Sequence, residues 1–593
     1  MRKIYSSFFL SFITSSGLHT DWCNFNKHRL VLIRVISGKR AISSAASLFI
    51  LLFVASSLAI SAQKGEFQWP LDKPIVLSGN YGEMRPNHFH AGLDLSTKNM
   101  INLPVYATKD GYVSRIKISS VGYGKSVYIT HVNGKVTVYG HLTNYESALN
   151  KYVKAEQKKA KQYEIELFPK PGELKYKAGD IIGYSGNTGN STGPHLHYEI
   201  RDEKTEIPLN PALFYDYEDS YAPALTHLGL YNLADTTNPR FLSFYPVITK
   251  DGKMKLKKDT IVLKANIIGI AFSGQDKFTA TGSANNIYEV QIKFDDKPFY
   301  KHQLDRIPFD DAKYVNQYSQ MQEKWRFQKC FQSTLFPKGM YKGVANKGRI
   351  MMGDTNVHKI HMIFKDEKAN QSELVFYVKA KEINYFEPPT IQGDIFANAN
   401  EDVLFGRKKL QIFIPAYTLY NSGAVIFENT LEASGKLMIL PFDATLRSTA
   451  IVGFEVPKKF KKFKDKLVFK NVDNTYTPIV KNDSVFYSVR NFGGFVLNVD
   501  SAAPKIKTEI PVAKLKATKG LKQITFIIEE ELSGIKEYSL TTNGEWVLAE
   551  FDAKSGKLTY YYDEDTPKGE LNFVVDVMDR CKNKASFSLK LGN

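Results

Sequence analysis

The chain reads as mainly β: an antiparallel β-sheet domain followed by two or three β-sandwich modules of immunoglobulin-like type. Three observations predict this. Short runs of β-branched and aromatic residues, punctuated by Gly, Asn and Asp, recur from Phe67 almost to the end. An Asn133-Gly134 dipeptide separates two such runs, a strong hairpin signal. About 530 residues follow Gln63, too many for one apolar core.

The first element is not part of that fold. Ala45 to Ala62 is an unbroken apolar and small-residue stretch behind Lys39 and Arg40, ending Ile60-Ser61-Ala62. It reads as an export signal cleaved after Ala62, with residues 1–38 an over-extended start. A retained membrane anchor is the rival, since 18 residues just span a bilayer. No cysteine stands at the cleavage site, so a lipoprotein signal is not indicated. The expected destination is the periplasm or cell envelope.

Residues 1–62 carry seven Lys/Arg against Asp21, so six of the net eighteen positive charges leave with them and +12 remains. A basic exported protein is biased toward anionic polymers such as a carboxylate-rich wall. No basic run interleaved with stacking aromatics stands out, and nucleic acid is not an expected partner. Beyond the signal the cysteines are Cys330 and Cys581 alone, so disulfides do not organise the fold.

Val127 to Val132 and Lys135 to Gly140 flank the Asn-Gly turn, and counting back from a two-residue turn sets His141 opposite Ser126. Glu146 to Glu166, rich in Lys, Ala, Glu and Gln, predicts a charged helix. Ile181 to Tyr184 predicts a strand, then a glycine-rich loop leads to His195–Ile200, a strand ending near Arg201, ahead of Pro208 and Pro211.

Six of the twelve histidines fall between His88 and His197. On a strand, His195 and His197 project from one face and Leu196 from the other. His90 and Asp94 are four apart around Gly92, close enough to hold one ion. A catalytic zinc takes three protein N/O ligands and keeps a position open for water. His90, Asp94 and one of the His195/His197 pair supply such a set, leaving the other, with His141, to move protons and steady an oxyanion.

The runs R-P-N-H-F-H-A-G-L-D-L (Arg85 to Leu95), V-Y-G-H-L (Val138 to Leu142) and G-Y-S-G-N-T-G-N-S-T-G-P-H-L-H-Y-E (Gly183 to Glu199) resemble, in order, the lysostaphin-like zinc endopeptidases that cut peptide bridges in peptidoglycan. The resemblance covers about Phe67 to Phe214. It implies Zn2+ held by His90, Asp94 and His197, with His141 and His195 as catalytic histidines, and peptidoglycan cross-links as substrate. It also implies a metallopeptidase domain over residues 63–216. Some relatives lack the ligands and only bind the wall or activate other hydrolases, which is the alternative reading; a zinc peptidase acting on other peptides is a third. The chain departs from the compact pattern between Thr143 and Lys177, where the charged insertion reads as a lid, a docking surface or a surface excursion.

Other motifs carry less. Gly189 to Gly193 fits G-x-S-x-G, but that motif needs a strand–turn–helix elbow and Pro194 leads into a strand. There is no phosphate-cradling G-x-x-x-x-G-K-[ST] and no H-E-x-x-H. His88 could take the place of His90, but only His90 has an acid at i+4, and a role for His88 beside the substrate or behind the ligands is the minor reading; His131 is expected to be structural or to support a ligand, not to be catalytic.

The rest predicts a β-sandwich over 221–381, with strands at Thr260–Ile270, Tyr288–Phe294 and Leu374–Val378; a second β module over 383–499; and an immunoglobulin-like sandwich over 502–593. These modules hold no catalytic constellation, which leaves spacing, wall binding or docking of envelope proteins as their roles.

Overall fold

Strand-forming residues alternate with polar ones through most of the chain, and the computed structural model is accordingly mainly β. It describes residues 64–592, apart from short stretches at 235–238, 251, 279–283, 333–335, 338, 384–392, 408, 441–444, 473 and 518–519. The export signal lies outside the described residues. Among those described, no helix is long and apolar enough to cross a membrane.

The first domain is built on β1 (Leu77–Gly79), β2 (Leu93–Ser96), β3 (Gly111–Ile118), β4 (Lys125–His131), β5 (Lys135–Leu142), helix α1 (Ser147–Ala160), β6 (Ile165–Leu167) and β7 (His195–Asp202). The strands form one sheet in the order β1-β2-β7-β5-β4-β3-β6, every neighbour antiparallel. A small sheet of Pro104–Tyr106, Ile181–Tyr184 and Asn144–Tyr145 adds Val105, Ile182 and Tyr145 to the same core. Leu196, Tyr198 and Ile200 bury the inner face of β7 in that core, leaving His195, His197 and Glu199 on the other.

Three expectations need correction. The β4–β5 turn holds three residues, not two: Thr130 pairs with Val136 and Val132, Asn133 and Gly134 form the loop, Gly134 alone taking the left-handed conformation at φ 72°. The register near the turn is thus one residue away from the expected one. A bulge between Lys125 and Val127 restores the count at the far end, where Lys125 faces Leu142. His141 sits at this bulge with φ 60°, an uncommon conformation for a residue with a side chain.

The charged helix is shorter than Glu146–Glu166. Glu146 caps its start, accepting from the Leu149 and Ala148 amides at 2.7 and 2.9 Å. Lys161 ends it in the left-handed region, and the chain turns into β6, which pairs with β3. Leu149 and Val153 fix the helix to the core, while Lys158 forms ion pairs with Asp563 and Asp565 of the C-terminal segment. The insertion therefore touches the C-terminal segment through Lys158.

The third correction is local: the run Thr260–Ile270 breaks into Thr260–Leu263 and the start of Ile267–Lys277.

Beyond the first domain, apolar side chains gather in clusters reaching from Leu225 to Ala380, Ala397 to Leu497 and Leu515 to Leu591. The sheets over the last two are antiparallel. The sheet over 224–380 also contains parallel pairs, formed by Lys253–Leu256 and Thr260–Leu263 with Gln371–Ala380.

Leu196 is fully buried between the two site histidines. Leu196→Ala is expected to cost about 2–5 kcal/mol in chemical denaturation, because its cavity opens under β7.

Candidate metal centre

Register brings the site together. His197 on β7 pairs directly with Asp94 on β2 and, on its other side, with Gly140 on β5. Directly opposed residues share a face, so the imidazole and the carboxylate meet. His90 arrives from the segment before β2, which passes so close to β7 that a Cβ on Gly92 would lie 2.3 Å from the Tyr198 carbonyl oxygen. Only glycine allows that approach.

Three ligand atoms converge. His90 Nε2 lies 3.0 Å from His197 Nδ1 and 3.1 Å from Asp94 Oδ1, and His197 Nδ1 lies 2.9 Å from Asp94 Oδ1. Each imidazole commits its other nitrogen elsewhere. His90 Nδ1 donates to the Asn80 carbonyl at 2.8 Å, and His197 Nε2 donates to Glu199 Oε1 at 2.8 Å. The nitrogens that face inward therefore carry lone pairs, beside a carboxylate oxygen. Three lone pairs about 3 Å apart repel one another unless a cation lies among them, and two imidazoles with one carboxylate are a zinc-type donor set. At zinc–ligand bonds of about 2.0–2.1 Å, tetrahedral neighbours stand roughly 3.3 Å apart, so a small outward movement admits the ion. The residues present fit the group.

The surroundings reinforce the anionic centre. Arg85 holds Asp94 Oδ2 at 2.6 Å, and Arg201 Nε holds Glu199 Oε2 at 2.6 Å. Burial opposes ionisation of Asp94, but His90, His195 and His197 outweigh it and hold the carboxyl well below its usual range. Glu199 is likewise held low against burial, by Arg201 and His197. Burial lowers His197, yet its bonds to Asp94 and Glu199 raise it to about 9. That proton marks the demand for positive charge which a divalent ion would meet instead.

His141 and His195 stand beside this cluster, their ring centroids 4.7 Å apart. The glycine-rich loop orients both. His141 Nδ1 donates to the Thr188 carbonyl and His195 Nδ1 to the Gly193 carbonyl, each at 2.8 Å. Both rings therefore turn Nε2 away from the loop, and that of His195 lies 3.4 Å from Asp94 Oδ1. Burial first, then the neighbouring His197 and His195, pushes His141 down to about 3, so it is a neutral acceptor at physiological pH. The left-handed backbone at the β5 bulge is what turns the His141 ring toward this group.

The structure thus brings His90, Asp94, His141, His195 and His197 together. His88 is exposed, its Nδ1 against the Pro86 carbonyl, and does not reach the centre. His131 is buried between the Asp110 carbonyl and the Thr137 hydroxyl, away from it. Ser191 bonds within its loop, and that loop runs into β7, not into a helix.

Sequence reasoning missed the supporting residues. Glu199 and Arg201 were readable, standing at i+2 and i+4 from His197 on the same face, and Arg85 opens the first matching run. Asn80 carries no local signal. Its side chain is clamped by Asn286 of the following segment, Asn80 Nδ2 donating to the Asn286 carbonyl and the Asn286 amide to Asn80 Oδ1, both at 2.9 Å. Gln328 Nε2 holds Asn286 Oδ1 at 2.9 Å, and the Tyr318 hydroxyl holds Gln328 Oε1 at 2.9 Å.

Residues 88–164 and 173–211 match peptidase family M23. Over 122 residues the chain is 34% identical to the DD-carboxypeptidase/endopeptidase Mpg of Neisseria meningitidis serogroup B, which covers 21% of this chain and 22% of Mpg. Over 146 residues it is 31% identical to the peptidoglycan DD-endopeptidase ShyA of Vibrio cholerae, covering 24% and 28%. The chain thus spans less than a third of either relative's length. Among solved structures, the catalytic domain of the prophage-encoded M23 protein EnpA from Enterococcus faecalis is 29% identical, covering 25% of this chain and 96% of that one, with a TM-score of 0.19.

Glu199→Gln keeps an acceptor for His197 but removes its charge. Zinc affinity, measured by chelator competition, is expected to fall about 10–100-fold; an unchanged affinity would show that the pair does not tune the centre.

Proposed function

We propose that this chain, whose residues 88–211 carry a peptidase M23 domain, is an exported zinc-dependent endopeptidase that hydrolyses peptide cross-links of peptidoglycan. The observation that carries the reading is the convergence of His90 Nε2, Asp94 Oδ1 and His197 Nδ1, with both imidazoles anchored through their other nitrogens.

Zinc held by these three residues would supply Lewis-acid polarisation of the scissile carbonyl and lower the pKa of water. This chain's own residues do the rest. One of His141 and His195 takes the proton of the attacking water on Nε2 and passes it to the leaving amine; the other steadies the developing oxyanion when its own Nε2 carries a proton. Their Nδ1–H bonds to backbone carbonyls orient each ring through the nitrogen that faces away from the substrate. His195 is the more open of the two, which suits contact with substrate. The Asn80 carbonyl orients the His90 ring and Glu199 the His197 ring, and Arg85 and Arg201 hold Asp94 and Glu199 from the far side.

Purified mature protein incubated with isolated sacculi is expected to release muropeptide fragments, and a chelator is expected to stop the release. Release that is absent, or indifferent to chelator, leaves the wall-binding or activator reading in its place. Mass spectrometry of the fragments identifies the bond cut. His195→Ala is expected to abolish digestion while zinc remains bound at one per chain; full activity in that variant would overturn its role.

A further inference from the structure

A second cluster of ligand atoms lies where the chain leaves the first domain. Asp219, Asp276 and Asp366 each bring a carboxylate oxygen within 4.8 Å of the others. Asp219 stands between the turn Pro211–Phe214 and strand Ala224–Asn232, Asp276 near the end of strand Ile267–Lys277, and Asp366 just after strand His358–Lys365. Three separate parts of the chain therefore meet through acids alone.

Acidic groups are common on protein surfaces, but this one is buried and incompletely answered. Asp276 is 1% exposed and neither of its carboxylate oxygens has a hydrogen-bond partner; the Lys277 amide beside it falls short of bonding geometry. Its cross-strand partner is Asn285, on strand Ala284–Asn285, so the two side chains share a face. Asn285 is 3% exposed, and both its Oδ1 and its Nδ2 are also without partners. Buried polar groups are almost always paired, and two adjacent side chains with four unpaired atoms call for a ligand.

The other acids are posed to receive one. Asp366 is fixed by the Lys368 and Asn370 amides, each 2.8 Å from Oδ1, and by Asn370 Nδ2, 2.7 Å from Oδ2. Asn370 Nδ2 also reaches the Asp219 carbonyl at 2.9 Å, and Asp219 Oδ1 accepts from the Tyr221 amide at 3.0 Å. Lys368, whose charge acts on Asp219, is engaged elsewhere: its Nζ sits 3.8 Å from the Tyr217 ring centroid, donates to the Tyr215 carbonyl and pairs with Asp216 at 3.7 Å. Burial, then Glu367, Asp366 and Asp219, pushes the Asp276 carboxyl up to about 8, so the group resists full ionisation without a counter-charge.

We propose that Asp219, Asp276, Asp366 and the amide oxygen of Asn285 form a calcium site that ties the exit of the first domain to the sheet that follows it. The donors are all oxygen, the preference of a hard cation and not of zinc. Their carboxylate oxygens lie within 4.8 Å of one another, close enough to share one calcium ion at about 2.4 Å from each. Water completes a shell of six to eight. The third carboxylate cluster, Asp500, Glu530 and Asp579, shows the contrast: amides of Leu532, Ser533 and Asn583 and the Asn583 side chain already answer those oxygens.

The test uses the whole mature protein, stripped of metal. Equilibrium dialysis with labelled calcium is expected to give one ion per chain at about 1 mM or below, the range of extracellular calcium modules. Added calcium is expected to raise the melting temperature. His90→Ala should keep both effects, which separates this site from the zinc reading. Asp276→Asn should lose both, yet melt no lower than the parent in calcium-free buffer, because it removes a buried charge. The proposal falls if no calcium binds, if Asp276→Asn binds it undiminished, or if magnesium binds and calcium does not.

Discussion

The pairing of His197 with Asp94 across neighbouring antiparallel strands is the constraint on which the rest depends. Side chains on a strand alternate, so slipping β7 by one residue would turn Leu196, Tyr198 and Ile200 toward the site and bury the imidazoles. What forbids the slip is that these three side chains are fully enclosed in the first core. The geometry of the cluster is set by apolar packing on the opposite face of the same strand.

That geometry carries an electrostatic burden. Two carboxylates and several imidazoles are taken out of water within a few residues, and isolated buried charge is costly. Arg85 answers Asp94 and Arg201 answers Glu199, so each acid keeps a fixed counter-charge on the side away from the centre. The field that remains points inward and is negative.

Much of this was legible in the sequence because it is periodic. Alternation alone placed His195 and His197 on one face and should also have named Glu199 and Arg201. The His90 to Asp94 spacing around Gly92 was equally local. His141 was harder: its position opposite Ser126 was inferred from a two-residue turn that does not exist, and is recovered only through a bulge. Bulges made by a non-glycine residue leave no compositional mark. Asn80 and Asn286, 206 residues apart, were beyond any local pattern, since each is an ordinary polar residue until the fold joins them. The Thr143 to Lys177 insertion showed its helix by composition, but not that Lys158 would meet acids some 400 positions later.

The buried polar relay from Tyr318 through Gln328 and Asn286 to Asn80 ends on the carbonyl that orients His90. The segment that follows is thereby wired to the His90, Asp94 and His197 cluster, and the first domain is not an interchangeable cassette. Shuffling it onto an unrelated neighbour would strand the Asn80 amide and slacken one metal-facing ring. Evolution can trade such appendages only by supplying another clamp, so drift inside the sandwich is policed by chemistry it never touches.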